Sequence, residues 1–221
     1  MNSFDLLSAL KKAGYLSESA PRLWWPNAGS FEVLISAILT QQTKWSNVEL
    51  SLANLKKHSL LSLEDLADTD EYLLQTLIQP SGFARQKSSR LIALSRNIIE
   101  DFGSFEALQQ SVEREWLLAQ KGLGRESADA ILCYACLKPV MVQDSYTARL
   151  LAHYGYEFES YEQMQEWFYD GVLSEWDRVL ELYGQDIDEH TVWARFHGKI
   201  VEFCKQNINK NTIIKDILEI S

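Results

Sequence analysis

The sequence predicts an all-α protein built as two helical lobes with a cleft between them, and three observations carry that prediction. Apolar residues recur at the helical interval along much of the chain, as in Phe31, Leu34, Ile35, Ile38 and Leu39, in Ala128, Ile131, Leu132, Ala135 and Cys136, and in Trp193, Phe196, His197, Ile200, Val201 and Cys204. No segment alternates apolar and polar residues between turn signals as a strand would. The 221 residues are long for one compact body and short for two independent ones, and no Gly/Ser- or Pro-rich linker divides them.

Taken in order, the first helix spans 3–13, with apolar residues at helical spacing and Lys11 and Lys12 at its end. Further helices are predicted near 31–42, 46–57, 63–68, 71–78, 85–101, 104–110, 112–119, 125–137, 145–154, 161–173, 175–183 and 189–207. The N-terminal helix is too short to stand alone. The simplest division gives residues 30–137 to one lobe and packs 1–29 with 138–221 as the second.

Composition narrows the class. With 46% hydrophobic and 24% charged residues and four prolines, the chain has the make-up of a soluble globular protein. The N-terminus lacks the basic head and apolar block of a secretory signal, and no apolar run reaches membrane-span length. A cytoplasmic monomer is expected. Cys133, Cys136 and Cys204 are read as reduced thiols, because a structural zinc or iron–sulfur site needs about four ligands that they do not supply.

The net charge of −10 on its own opposes a nucleic-acid partner, but its distribution does not. Residues 155–190 hold eleven acids against one basic residue, Arg178, which accounts for the whole excess. Between Gly82 and Ile99 stand Arg85, Lys87, Arg90 and Arg96 with no acid. One face is therefore free to meet phosphates.

The segment "LLAQKGLGRESADAIL" (117–132) joins two helices through Gly122-Leu123-Gly124. Such a hairpin leaves the second helix's first N–H groups pointing outward beside backbone free of side-chain bulk, an arrangement suited to a phosphate. Arg125 and Ser127 add donors, although a plain helix–helix turn has the same outline. Downstream, in "VQDSYTARLL", Asp144 immediately precedes a helix, where it serves as an N-cap and is also well placed in a cleft.

These motifs together resemble the endonuclease III superfamily of DNA glycosylases. The hairpin is followed eighteen residues after Glu126 by Asp144, as in that family's helix-hairpin-helix, Gly/Pro-rich loop and aspartate. "FEVLISAILTQQTKWSNV" resembles its early helix and glutamine turn, "PSGFARQKSSRLIALSRNI" its second DNA-contacting loop, and "ARFHGKIVEFCKQ" the helix that precedes the cluster-binding tail. The likeness covers residues 28–204 in the family's order.

Two departures refine what the resemblance implies. Bifunctional members carry an attacking lysine where Glu126 stands, and a carboxylate cannot form a Schiff base, so strand nicking is not expected. Glu202 stands where the first cluster cysteine would fall, so no iron–sulfur cluster is expected, and His197 is then a hydrogen-bonded core residue. Lys199 is expected to meet a carboxylate, to be neutralised by modification, or to lie solvated at the surface.

The segment "RLWWPNAG", with Trp24, Trp25 and Pro26, together with Trp45 and the cluster-free tail, most resembles the small bacterial 3-methyladenine DNA glycosylases, although core packing would also use these tryptophans. Indole faces suit an alkylated purine, which is a cation. The resemblance implies a monofunctional enzyme that flips a damaged nucleotide out of double-stranded DNA and hydrolyses its glycosidic bond. Asp144 would be the catalytic carboxylate, and Trp24, Trp25, Pro26, Trp45, Glu126 and Lys199 would line the base pocket. Gln41 or Gln42 and Phe83 would act as wedges, while Gly122, Gly124, Arg125, Ser127, Arg85 and Lys87 would hold phosphates. An adenine-mismatch glycosylase, which would have to recruit an acid such as Glu32, and a non-catalytic DNA-binding protein are the alternatives.

Overall fold

Polar stops cut the chain into short helices. The computed structural model describes residues 1–17, 19–209 and 212–213, with only the backbone described at 208, 209, 212 and 213. Residues 214–221 of the expected second lobe lie outside the described residues. Thirteen α-helices occur among those described, each overlapping one predicted from sequence. Several begin where a side chain accepts from the first turn: Asn2, Ser62, Asp70, Ser104, Asp144 and Ser160 each cap a helix in this way. Ile208–Asn209 and Thr212–Ile213 pair as a short antiparallel ladder, too brief to leave an alternating pattern in the sequence.

By backbone proximity the chain divides into a terminal unit, Met1–Trp25 with Lys138–Ser221, and a central unit, Pro26–Leu137. The terminal unit contains α1 (Ser3–Lys12), α10 (Ser145–His153), α11 (Tyr161–Leu173), α12 (Trp176–Tyr183) and α13 (Glu189–Asn207). Its core joins Phe4, Leu7 and Leu10 of α1 to Phe168 of α11 and to Trp193, Phe196 and Phe203 of α13. Gly171 lets α1 approach closely, since a Cβ there would collide with Ser3. Ser3 Oγ then reaches the Phe168 carbonyl at 2.8 Å.

The central unit contains α2 (Phe31–Leu39), α3 (Trp45–Lys57), α4 (Leu63–Asp68), α5 (Glu71–Leu77), α6 (Ala84–Phe102), α7 (Phe105–Ser111), α8 (Arg114–Ala119) and α9 (Arg125–Ala130). Every residue of α2 except Glu32 is buried. Around it pack α3, α6 and α9. Between α8 and α9, Asp129 is fully buried and receives Arg114 bidentately at 2.7 and 3.1 Å. This charge-assisted fork sets the two helices of the hairpin against each other.

One predicted element differs in kind. The helix expected over 125–137 is α-helical only to Ala130, and Ile131–Ala135 form a π-turn closed by Cys136 N–H donating to the Ile131 carbonyl at 2.9 Å. The wider turn releases carbonyls outward. Gly29 N–H donates to the Tyr134 carbonyl at 2.7 Å, and Gln109 Nε2 donates to those of Ala135 and Gly29 at 2.6 and 3.0 Å. Side-chain periodicity could not show this, because the residues are apolar all round.

Candidate active site and nucleic-acid interface

The terminal unit places Asp144 at the N-cap of α10. Its Oδ1 accepts from Tyr146 N–H, Thr147 N–H and Thr147 Oγ1 at 2.9, 2.8 and 3.0 Å. Its Oδ2 faces His197 Nε2 at 3.7 Å. Burial by itself raises the Asp144 pKa, but the His197 imidazole beside it and the Thr147 donors outweigh it and hold the carboxyl below its ordinary value. The group is therefore ionised at neutral pH. Cys204 reflects the same surroundings: burial first, then the Asp144 charge, push its thiol up to about 12.

His197 is the residue the sequence reading missed at this site. Its place on the apolar stripe of α13 is as expected, and it is buried, but it lies beside the aspartate rather than among apolar groups alone. Trp24 meets the His197 ring edge-on with centroids 5.2 Å apart, and Trp25 meets Trp24 in the same manner at 6.0 Å. Trp24 is seated on Gly198, where any Cβ would strike the indole. Lys205, about two turns further along α13, holds its ammonium 5.6 Å from the Trp24 ring centroid. Asp144, His197 and Trp24 thus form one continuous cluster. Trp25 is buried, while Pro26 at the start of the central unit is exposed.

Lys199 does not belong to this cluster, which corrects its assignment to the base pocket. Two residues beyond His197 on a helix, it points to nearly the opposite face. It is buried and donates to the Tyr15 carbonyl and, at 3.1 Å, to that of Leu16. There it lines a separate cavity of about 450 Å³ with Tyr15, Arg22, Tyr183 and Arg195. Arg195 donates to the carbonyls of Leu16, Ser17, Pro21 and Arg22 and so shapes the loop that leads into Trp24.

In the central unit the hairpin's two glycines do different work. Gly122 has φ +84 and a Cβ there would collide with the Arg90 guanidinium, so no other residue fits without rearrangement. Gly124 is extended and faces open space, which leaves the backbone in front of α9 bare. Leu123 between them is buried and anchors the turn. Arg125 and Glu126 are exposed in the first turn of α9. Ser127 faces inward, accepting from Gln41 Nε2 at 3.0 Å.

Gln41 is tied in rather than presented. Its Nε2 also donates to the Gly122 carbonyl at 3.0 Å, and its Oε1 accepts from Arg90 Nη1 at 3.0 Å. Gln42 is exposed with φ +54, and Phe83 is 58% exposed with φ +49. Left-handed backbone is costly for both residue types, and each strain holds a side chain outward. Trp45 begins α3 half-buried. Glu32 accepts from Asn27 Nδ2 at 2.6 Å.

Lys87 is a second correction. Expected to attract phosphates, it is 1% exposed and donates to the carbonyls of Leu39 and Ser81 at 2.8 Å each. Burial, then the charge of Arg90, lowers its pKa to about 8. Arg85, two residues earlier in the same turn, remains exposed.

An N-capping aspartate held ionised beside a histidine and an indole, on a chain that also carries a glycine-hinged hairpin, defines a base-excision protein of the helix-hairpin-helix class. The chain belongs to the HhH-GPD superfamily of base excision DNA repair proteins, whose pattern it matches over residues 35–169. A protein of Methanocaldococcus jannaschii described as a DNA repair glycosylase is 32% identical over 218 residues, covering 96% of this chain and 93% of that one. Endonuclease III of Thermotoga maritima is 29% identical over 177 residues, covering 80% of this chain and 73% of its own.

Among solved structures, that of the H. pylori 3-methyladenine DNA glycosylase MagIII bound to 1,N6-ethenoadenine is 48% identical with a TM-score of 0.90. The alignment covers 95% of this chain and all of that one. A trapped endonuclease III–DNA covalent intermediate, at 17% identity and TM-score 0.72 with 96% and 91% coverage, shares the fold. Among the described residues no group of three or more His, Cys, Asp or Glu is arranged to hold a metal ion, and no helix is long and apolar enough to cross a membrane.

Proposed function

We propose that this protein is a monofunctional DNA glycosylase that hydrolyses the N-glycosidic bond of alkylated purines of the 3-methyladenine type in double-stranded DNA. The observation that carries the reading is the Asp144 carboxylate. Three donors fix its Oδ1 and burial surrounds it, yet it stays ionised, with Oδ2 toward His197 and the Trp24 cluster. A carboxylate so held stabilises the positive charge that develops on the sugar as the base departs, and it orients the attacking water. Its partners are already in place, so little reorganisation is needed at the moment of reaction.

An alkylated purine is cationic before the bond breaks, which makes it a good leaving group and a good partner for an indole face. Trp24 and Trp25 supply such faces in the terminal unit. Lys205 over Trp24 disfavours a second cation on that same face. The likeness to a 3-methyladenine glycosylase at 48% identity supports this substrate class.

Flipping requires wedges, and Gln42 and Phe83 fit because both stand exposed on left-handed backbone. The backbone around Gly122 and Gly124 grips phosphate. Glu126 in place of an amine leaves no Schiff base to form, and the three cysteines of the sequence are one short of the four thiolates that an iron–sulfur cluster takes. The test is release of free base. Methylated duplex should yield 3-methyladenine, a normal adenine in a mismatch should stay, and borohydride should trap no protein–DNA adduct. Adenine release would favour the mismatch reading, a trapped adduct would end the monofunctional one, and binding without any release would leave a DNA-binding protein.

A further inference from the structure

A lysine is a costly way to fill a core, since its ammonium must leave water, and positions that need only packing take apolar side chains. Lys87 in the central unit is 1% exposed, and its Nζ donates to two carbonyls at 2.8 Å each. The two acceptors come from different segments. One belongs to Leu39, the last residue of α2, where a helix end leaves carbonyls without helical donors. The other belongs to Ser81, just before α6.

Both segments continue into a side chain held outward. Beyond Leu39 the chain turns through Gln41 to Gln42, at φ +54, and beyond Ser81 it passes Gly82, at φ +70, to Phe83, at φ +49. The Lys87 backbone N–H also donates to the Phe83 carbonyl at 3.0 Å, so one residue grips the second loop on both sides of Gly82. Arg90, one turn later on α6, donates to Gln41 Oε1 at 3.0 Å and steadies the first loop. Gln42 and Phe83, the two proposed wedges, are what these loops leave exposed.

A wedge must stand at a fixed place in the base stack, and two wedges from separate parts of the sequence act together only at a fixed separation. A donor shared by both backbones imposes that separation, and a charged donor bonds about twice as strongly as a neutral one. We propose that Lys87 is a positioning residue for base flipping, whose ammonium locks the Gln42 turn and the Phe83 loop into one frame without itself touching the DNA. The proposal rests on the reading that the protein flips a damaged nucleotide.

Comparing paired with unpaired substrate tests it. Lys87→Met keeps the apolar stem and removes the three donors. Base release from methylated duplex should fall roughly three- to fivefold, the scale of one net hydrogen bond, while release from methylated single strands, where flipping costs least, should hold. 2-Aminopurine beside 3-deaza-3-methyladenine, a stable analogue of the damaged base, reads the same step without bond cleavage: it brightens as the nucleotide leaves the stack, and Lys87→Met should dim it. In a Phe83→Ala background the same substitution should cost less than it does alone. Thermal melting shows which variants are folded, and Lys87→Gln repeats the comparison should Lys87→Met not fold. Equal losses on duplex and single strand make Lys87 a stabilising residue alone and overturn the proposal, as does no loss on either. The two readings fail separately. Brightening that depends on Lys87 with no base released sinks the proposed activity and leaves the clamp standing, whereas base release with brightening indifferent to Lys87 sinks the clamp alone.

Discussion

The surroundings of Asp144 and those of the hairpin use opposite means to deal with negative charge. At Asp144 the charge belongs to the protein, is almost buried, and is held by donors from Tyr146 and Thr147 with the His197 ring 3.7 Å away. At the hairpin the charge is to come from outside, so the protein keeps its backbone bare at Gly124 and its cations uncompensated at Arg85 and Lys121. A buried carboxylate that is already solvated by fixed dipoles suits chemistry, and an exposed rim of donors suits capture. The comparison predicts that substitutions in the first region change turnover at constant affinity, and those in the second change affinity and its salt dependence.

The largest effect is expected from Asp144→Asn. Base release from methylated duplex under saturating enzyme should fall by about 100- to 1,000-fold, the scale of losing one preorganised electrostatic group, while duplex binding persists. Turnover near that of the unaltered protein would dissolve the contrast. The pH dependence has a definite sign. Because the folded-state pKa of Asp144 lies below its ordinary value, its contribution to stability is complete above about pH 4 and is lost as the pH falls through the folded value. Acid melting of Asp144→Asn should lack that component.

Gly198→Ala comes next. The added methyl must displace Trp24, so base release should drop about tenfold or more, the scale of a misplaced positioning group, with DNA affinity little changed. Gly122→Ala, in the other region, should show the reverse. Positive φ costs an alanine about 1–2 kcal/mol, and the methyl meets Arg90, so the melting temperature and duplex affinity should both fall. If Gly122→Ala slowed release at saturation while affinity held, the assignment of capture to the hairpin would fail.

The smallest effect separates neighbouring lysine and arginine. Lys87→Gln should lower stability by about 1–3 kcal/mol, because two buried carbonyls lose their donor, and should leave the salt slope of DNA binding where it was. Since burial lowers the Lys87 pKa to about 8, the unfolded chain binds more protons than the folded one between pH 8 and the ordinary value near 10.5. Stability gains a rising component over that window, which the glutamine variant should lose. A shallower salt slope in Lys87→Gln would return this residue to the DNA surface.

These corrections show which information a linear pattern contains. Helices such as Phe31–Leu39 and Ala84–Phe102 were legible because burial of one face imposes a repeat on the residues themselves, and Asp144 because capping is a local rule. The burial of Lys87 was not, since a lysine on a basic stretch looks the same whether its ammonium meets water or the carbonyls of Leu39 and Ser81. Nor was the approach of His197 to Asp144, which depends on how α10 packs on α13 rather than on anything near either residue. A stripe position occupied by histidine was the available signal, and it fixed burial without naming the partner. The reassignment of Gln41 has the same origin: its three hydrogen bonds join segments that only the fold brings together.

The π-turn at Ile131–Ala135 has a consequence at the other end of its helix. Each residue of a helix advances about 100° around the axis, so one surplus residue fixes the rotational phase of everything before it relative to everything after. Gln109 and the Gly29 N–H pin that surplus in place through the carbonyls of Ala135 and Tyr134. Were it to slip off the helix, Arg125, Glu126 and Ser127 would turn by about a quarter of a revolution against the segment that follows them. One surplus residue in a buried π-turn thereby sets the compass bearing of the hairpin's entire outer edge.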